Sequence, residues 1–366
     1  MIILHVAAIE NNQFNGVCVA APQHVISQME YAEVGLINIK NIEIDELKQY
    51  PGAQMSFIKP FDVTKLPKPF CRPDIVVFHE CYRPEYLKIA KNLRKNKIPY
   101  IDMPHGELRV EAQQKKHFKK TVANILLFNS FINNAVAIQC LSPAEMKATY
   151  FKQKKFVGTN GVYIPSKIKN QFSNAGIKFL YIGRYEWKVK GLDLLFEAIH
   201  INADYLRQKQ CVFNLYGPDI LGRLEQVEQL VKKNQIEDLV TLNLEISGKE
   251  KERALLDADI FIQTSRHEGM PMGILEAMSY GIPCLVSEGT TLAKTIDESE
   301  AGWNAGTTVD SISETILQAV RDRNTWMSYG HNGRLLVERA FSWNAVAEHI
   351  LEQYSDILID YNKIGN

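Results

Sequence analysis

The chain has 366 residues, 46% of them hydrophobic, and its 42 Lys and Arg balance 42 Asp and Glu. That length exceeds one compact core and predicts two domains of similar size. No run of about 18 apolar residues occurs, so no membrane span is expected, and no RNA- or DNA-binding motif supports a nucleic-acid partner.

The first half alternates short apolar strands with helical stretches, as an open α/β sheet does. Residues 1–7 read as a strand that opens the chain directly, without the basic start and cleavage site of a secretory signal. A polar loop at 11–16 ends in Asn15-Gly16, and 17–29 reads as a helix, in which Pro22 requires a late start or a kink. Residues 74–79 form a strand ending at His79, 86–97 a helix, and 99–103 a strand ending at Pro104-His105-Gly106. Residues 135–140 form another strand. Ser142-Pro143-Ala144-Glu145 then reads as a helix start, with a hydroxyl at the N-cap, Pro at N1 and Glu at N3.

A turn-rich segment at 159–165 reads as a linker, and the alternation restarts after it. Strands are expected at 178–182, 212–216, 240–244 and 260–264, and helices at 192–200, 221–233, 249–256 and 272–280. The restart predicts two Rossmann-like halves, 1–165 and 166–343, with a C-terminal amphipathic stretch at about 344–362 returning to the first. In such sheets ligands sit beyond the carboxyl ends of the strands. His79, His105, Arg184, Gly217 and Glu268 all lie just after predicted strands.

Charge is unevenly spread. Residues 1–165 carry 21 Lys and Arg against 14 Asp and Glu, and 166–366 carry 21 against 28. Much of the basic excess lies in 83–155, including Lys88, Lys91, Arg94, Lys95, Lys97, Lys115, Lys116, Lys119 and Lys120. It reads either as solvated helix faces or as attraction to an anionic membrane surface or a phosphate-bearing acceptor, at about 1 kcal/mol per basic group near a surface. The six cysteines are scattered without C-x-x-C spacing. They read as reduced, mostly buried thiols of a cytosolic protein, with no metal site.

Two segments of the second half carry chemistry. Gly183-Arg184-Tyr185-Glu186-Trp187-Lys188-Val189-Lys190-Gly191 places a guanidinium fork and ammonium point charges in one strand-to-helix loop, a pairing suited to a diphosphate. Arg266-His267-Glu268-Gly269-Met270-Pro271 leads from a buried strand into the helix that bears Glu276. Carboxylates there can accept several sugar hydroxyls, and the helix N-terminus favours an anion or a hydroxyl-rich ligand. Asp257-Ala258-Asp259 reads as a helix-end turn rather than a metal-binding Asp-x-Asp, because it precedes a strand instead of following one.

The second segment, S-R-x-E-G-x-P-x-x-x-x-E-A-M-x-x-G-x-P in full, resembles the retaining glycosyltransferases of family four (glycosyl transferases group 1), of the bacterial polysaccharide type. The resemblance covers most of 135–355 and loosely the first half; Phe341-Ser342-Trp343 resembles the family's C-terminal ending. It implies the GT-B fold, with two Rossmann-like parallel-sheet domains facing across a cleft. It also implies a nucleotide diphosphate sugar as donor, a saccharide or lipid-linked saccharide as acceptor, no cofactor and no metal. Carried over by residue, Arg184 and Lys190 hold the pyrophosphate, with Lys188 as the alternative to Lys190. Glu268, Gly269, Met270 and Pro271 hold the donor sugar, and Glu276 holds the ribose. Gly217 lines the donor site, and Gly16 approaches the donor phosphate where the family usually has two glycines. His105 approaches the donor sugar, with His79 and His267 as weaker candidates. The expected enzyme is cytoplasmic, with peripheral contact to an anionic membrane. A sugar-nucleotide epimerase or a non-catalytic sugar-nucleotide binding module of the same fold are the rivals. A nicotinamide dehydrogenase is disfavoured because no G-x-G-x-x-G follows a strand.

Overall fold

The structure is a computed structural model that describes residues 1–12, 15–108, 128–149, 151–173, 175–220 and 222–364. Lys115, Lys116, Lys119 and Lys120 of the basic segment lie outside the described residues. Two compact units are formed, Met1–Gly161 with Trp343–Asn366, and Val162–Ser342.

The first unit carries β1 (Ile2–Ala7), α1 (Gly16–Gln28), β2 (Glu33–Asn38), β3 (Gln54–Ser56), β4 (Ile75–His79), α2 (Pro84–Lys95), β5 (Tyr100–Met103), β6 (Ala137–Cys140), α3 (Pro143–Ala148) and β7 (Lys154–Val157). The strands form one sheet in the order β3-β2-β1-β4-β5-β6-β7, and every pairing is parallel. Alternation along the strands builds two apolar layers. Leu4, Val6, Val76 and Phe78 face Tyr86, Ile89 and Leu93 of α2. Ile3, Ala7, Ile75 and Val77 face Val25 of α1 and Ile350 and Tyr354 of the C-terminal helix.

Helix α1 does not start late. It begins at Gly16 and runs through Pro22, which is buried inside it. The Asn15 side chain caps it by accepting from Val17 N and Cys18 N, so the helix starts at its cap although Pro22 cannot donate to the Cys18 carbonyl. Helix α3 starts as its sequence predicts: Ser142 Oγ accepts from Glu145 N. The Glu145 carboxylate reaches past the cap to Leu141 N and Gly106 N, both at 2.6 Å. Lys88, Lys91, Arg94 and Lys95 lie on the exposed face of α2.

The second unit carries β8 (Ile177–Ile182), α4 (Trp187–Lys190), α5 (Leu192–Ile201), α6 (Ala203–Gln208), β9 (Cys211–Tyr216), α7 (Arg223–Lys233), β10 (Val240–Asn243), α8 (Gly248–Asp257), β11 (Ile260–Gln263), α9 (Met272–Ser279), β12 (Cys284–Val286), α10 (Ala293–Glu298), β13 (Gly302–Asn304), α11 (Val309–Arg321) and α12 (Trp326–Ala340). Its sheet is again parallel, in the order β10-β9-β8-β11-β12-β13. Ile260 and Ile262 of β11 face Leu195 and Phe196 of α5. Phe261 faces Ile274, Leu275 and Met278 of α9. The last helix, α13 (Trp343–Ile364), belongs to the first unit. Among the described residues no helix is long and apolar enough to cross a membrane.

Asp257 ends α8, and Asp259 is buried in the turn that follows. Its carboxylate accepts from Ser173 N and Lys178 N and lies 3.6 Å from Lys169 Nζ. This pair is a structural tie at a helix end.

Candidate functional site

The strand order of the second unit reverses between β8 and β11, and sheets of this kind bind ligands beside the loops that follow the two strands at such a switch point. Here those loops are the Gly183–Gly191 and Thr264–Pro271 segments. Several bonds stitch them together. Arg266 forks onto Asp193 at 2.6 and 2.8 Å and donates to the Lys188 carbonyl. Arg266 N donates to the Val189 carbonyl, and Thr264 Oγ1 donates to the Gly191 carbonyl at 3.0 Å. Gly191 is held at φ +64°, and a Cβ there would sit 2.0 Å from the Thr264 carbonyl oxygen, so only glycine fits.

This stitching brings Lys190 to Glu268. Lys190 is 8% exposed, and its Nζ lies 2.5 Å from Glu268 Oε2. The same oxygen accepts from Gln263 Nε2 at 2.9 Å and Ser265 Oγ at 3.2 Å. Lys188, the alternative cation, instead rests on the Trp187 ring with its Nζ 4.9 Å from the centroid. Arg184 is exposed and pairs with Glu186 at 3.2 Å, which also binds Arg223 at 2.6 Å. Burial pushes the Glu186 carboxyl up, but the Arg223 hydrogen bond and the charges of Arg184, Arg223 and Lys190 outweigh it and hold it below the usual range. Beneath them, burial raises the Tyr181 phenol, reinforced by the charge of Glu268, and its hydroxyl donates to the Arg184 carbonyl. Arg184, Glu186, Lys190 and Glu268 thus share one electrostatic neighbourhood.

Glu276 lies on α9 and is not drawn into that cluster. It pairs with Lys251 of α8 at 2.5 Å. Pro271 caps α9, and the Gly269 carbonyl accepts from Thr291 Oγ1 at 2.9 Å. Gly217 has a packing reason of its own: a Cβ there would sit 2.1 Å from the Gly183 carbonyl oxygen.

Residues 165–336 match the family model described as glycosyl transferases group 1. This part of the chain belongs to that family. The group 1 domain therefore carries Arg184, Lys190, Glu268 and Glu276 together. Among curated relatives, the chain is 26% identical over 265 residues to the amylovoran biosynthesis glycosyltransferase AmsK of Erwinia amylovora, covering 69% of this chain and 63% of the relative. It is 23% identical over 205 residues to the GDP-mannose:cellobiosyl-diphosphopolyprenol alpha-mannosyltransferase of Xanthomonas oryzae pv. oryzae, covering 54% of this chain and 52% of that enzyme. The chain thus spans less than two thirds of the length of these relatives. Among solved structures, it resembles Anabaena HepE in complex with UDP, with a TM-score of 0.71 at 16% identity over 97% of this chain and 100% of that one. The fold is GT-B.

Around the group 1 domain's acidic and basic pairs, sequence reasoning missed Gln263, Ser265, Glu186, Arg223, Asp193 and Lys251. A signal existed for Gln263, a polar residue closing the apolar run Ile260-Phe261-Ile262 and 3% exposed.

In the first unit the strand order reverses between β1 and β4. Gly16 opens α1 after β1, and a Cβ there would meet nothing within 4 Å. His105 follows β5 with φ +49°, a left-handed conformation stabilised by its surroundings. The following Gly106, at φ +86°, donates to Glu145. His79 ends β4 and is fully buried. Its Nδ1 lies 2.9 Å from His105 Nε2, and its Nε2 lies 2.9 Å from His5 Nδ1. Burial lowers His105 to about 3, His5 to about 3 and His24 to about 4, and holds His79 well below the ordinary value. All four rings are neutral at neutral pH. His267, in the second unit, has adjacency to Glu268 as its only claim.

Proposed function

We propose that the chain is a retaining glycosyltransferase that moves a hexose-type sugar from a nucleotide diphosphate sugar to a lipid-linked saccharide in bacterial surface polysaccharide assembly. The observation that carries this reading is the Lys190–Glu268 pair at the β8/β11 switch point of a group 1 domain. A nearly buried ammonium beside a carboxylate offers a phosphate and a sugar hydroxyl their preferred partners within one loop pair. Arg184 and Lys190 hold the pyrophosphate and neutralise the charge that builds on the leaving nucleoside diphosphate. They supply the positive charge themselves, so the reaction is assigned as metal-independent. Glu268 and the backbone of Gly269, Met270 and Pro271 hold the sugar, and Glu276 holds the ribose. Gly217 and Gly16 belong to the donor site, and His105 contacts the donor sugar; the support for these last assignments is the family resemblance.

No carboxylate is assigned as a nucleophile. In the same-face step, the bond from the anomeric carbon to the phosphate oxygen breaks and the bond to the acceptor oxygen forms on the same face. The acceptor proton passes to the departing phosphate oxygen. The relatives named for amylovoran biosynthesis and for transfer to cellobiosyl-diphosphopolyprenol support the acceptor class. The basic exposed face of α2 supports peripheral contact with an anionic membrane from the cytoplasmic side.

A thermal-shift screen against UDP- and GDP-sugars identifies the donor. NMR of the product with a saccharide-diphospholipid acceptor then reads the anomeric configuration, and inversion refutes the retaining assignment. Mass analysis without acceptor separates this reading from an epimerase, which would convert the donor alone. Co-sedimentation with liposomes that ignores anionic lipid content removes the membrane contact.

A further inference from the structure

The buried face of the first sheet beneath α1 and α13 contains a polar chain that the proposed function leaves unexplained. It starts at a backbone carbonyl, whose role as acceptor is fixed. Gln139 Nε2 donates to the Gly158 carbonyl at 3.0 Å, and a Cβ at Gly158 would meet that amide at 2.7 Å, so the glycine makes room for it. Gln139 must therefore turn its oxygen the other way, where it accepts from the Tyr354 hydroxyl at 2.7 Å. With its proton committed, the Tyr354 oxygen presents lone pairs. The Gln28 side chain lies beside that oxygen, and its buried Nε2 makes no hydrogen bond of its own. A Gln28 carbonyl turned there would repel those lone pairs, so the amide nitrogen faces Tyr354 and Oε1 faces His5 Nε2 at 3.1 Å.

The protons of the imidazoles follow in order. His5 carries its proton on Nε2, because Gln28 Oε1 only accepts. Its Nδ1 is then an acceptor, so His79 donates from Nε2 across 2.9 Å. His79 Nδ1 is in turn an acceptor, and His105 donates from Nε2 across 2.9 Å. Each neutral ring has one proton, so His105 Nδ1 is left bare. His105 is the half-buried end of a row whose other members are buried.

We propose that the Gly158–Gln139–Tyr354–Gln28–His5–His79 chain fixes the tautomer of His105, so that its Nδ1 accepts a hydrogen bond and selects a hydroxyl of a bound sugar rather than a phosphate oxygen. His5, His79, Gln28 and Tyr354 are positioning residues that act through His105. A phosphate oxygen needs a donor, and the bare nitrogen offers none. The tautomer rests on the Gln28–His5–His79–His105 contacts and on the repulsion that turns the Gln28 carbonyl away from Tyr354; the choice of a sugar as ligand rests on the proposed donor assignment of His105.

The test is long-range proton–nitrogen NMR of the full chain labelled at histidine ring nitrogens. The wild type should show His105 protonated on Nε2 with a pyridine-type Nδ1; a proton on Nδ1, or an average of both forms, overturns the proposal. Tyr354→Phe keeps the ring volume but frees Gln28 to turn. It should move His105 toward mixed tautomers and lower kcat/KM by about two- to tenfold, the worth of one net hydrogen bond. An unchanged His105 tautomer in that variant also overturns the chain. Because a buried change can unfold the unit, the wild-type spectrum alone decides the first point. Titration of the wild type then separates the two layers. A shift of His105 Nδ1 with the nucleotide sugar, absent with the nucleoside diphosphate, supports hydroxyl recognition. No shift with a sugar nucleotide that binds removes the donor assignment and leaves the tautomer standing.

Discussion

Lys190 Nζ and Glu268 Oε2 lie 2.5 Å apart, and Gln263 and Ser265 also donate to that one oxygen. Glu268 Oε1 accepts no hydrogen bond among the described residues, which leaves it for a ligand hydroxyl. Glu268→Gln keeps the shape but strands a nearly buried ammonium. Turnover should fall about 100-fold or more, and the melting temperature should fall as well. Adding Lys190→Met to that variant should recover the melting temperature without recovering turnover. A double variant that regains activity shows that the pair serves packing alone.

Glu276 and Lys251 pair across α9 and α8 with both side chains about one-third exposed or less. An ion pair this wet is worth under about 1 kcal/mol, so Lys251→Met should leave stability and donor KM almost unchanged. Glu276→Ala should raise donor KM about tenfold with kcat held, because it removes binding shared by the ground and transition states. Steady-state kinetics with varied donor decides it, and an unchanged KM for Glu276→Ala removes the ribose assignment.

Arg184 pairs with Glu186, which Arg223 also holds. Arg184→Ala should therefore leave the loop in place and weaken nucleoside diphosphate binding about tenfold, with little effect on the parent nucleoside. Calorimetric titration of both ligands at two salt concentrations reads this out, since a phosphate contact weakens with salt. Equal losses for nucleoside and diphosphate would place Arg184 away from the pyrophosphate.

Much of this architecture was legible because apolar runs such as Ile75-Val76-Val77-Phe78 and Ile260-Phe261-Ile262 are long enough to declare buried parallel strands. β2, β3, β7, β12 and β13 escaped: β3, β12 and β13 are three residues each, too short to show a period, while β7 is a four-residue edge strand with two lysines and β2 is interrupted by Gly35. Pro22 does not delay the start of α1, because a cap at Asn15 begins the helix ahead of it. That Lys190 rather than Lys188 meets Glu268 follows from loop stitching through Arg266 and Asp193, a pairing 73 positions apart that the sequence does not display. The histidines are the clearest limit. His5, His79 and His105 each look solitary in their own segments, and only the parallel register of β1, β4 and β5 lines them up.

The same histidines set how the protein responds to acid. His5, His24 and His79 are buried and titrate below their unfolded value of 6.5, His5 at about 3 and His24 at about 4. Unfolding therefore takes up protons below pH 6.5. Their stabilising contribution is fully present above that pH and is lost as pH falls toward 4 and 3, at up to about 1.4 kcal/mol per ring per pH unit. Asp102 works against this. Burial, with the charges of Glu107 and Glu145, pushes its carboxyl well up, so it gains a proton on folding and offsets about one ring. His105 is lowered as well, to about 3, and burial also raises Glu80; four rings against two carboxyls leave a net loss, and the melting temperature should drop steadily from pH 6.5 to 4.5. His24 meets the Trp343 ring edge-to-face at 5.1 Å and bonds Asn160 at 3.1 Å. His24→Asn should flatten the pH slope by about one proton, whatever its effect on stability at neutral pH. A slope unchanged by that variant would mean that His24 is already protonated in the folded chain.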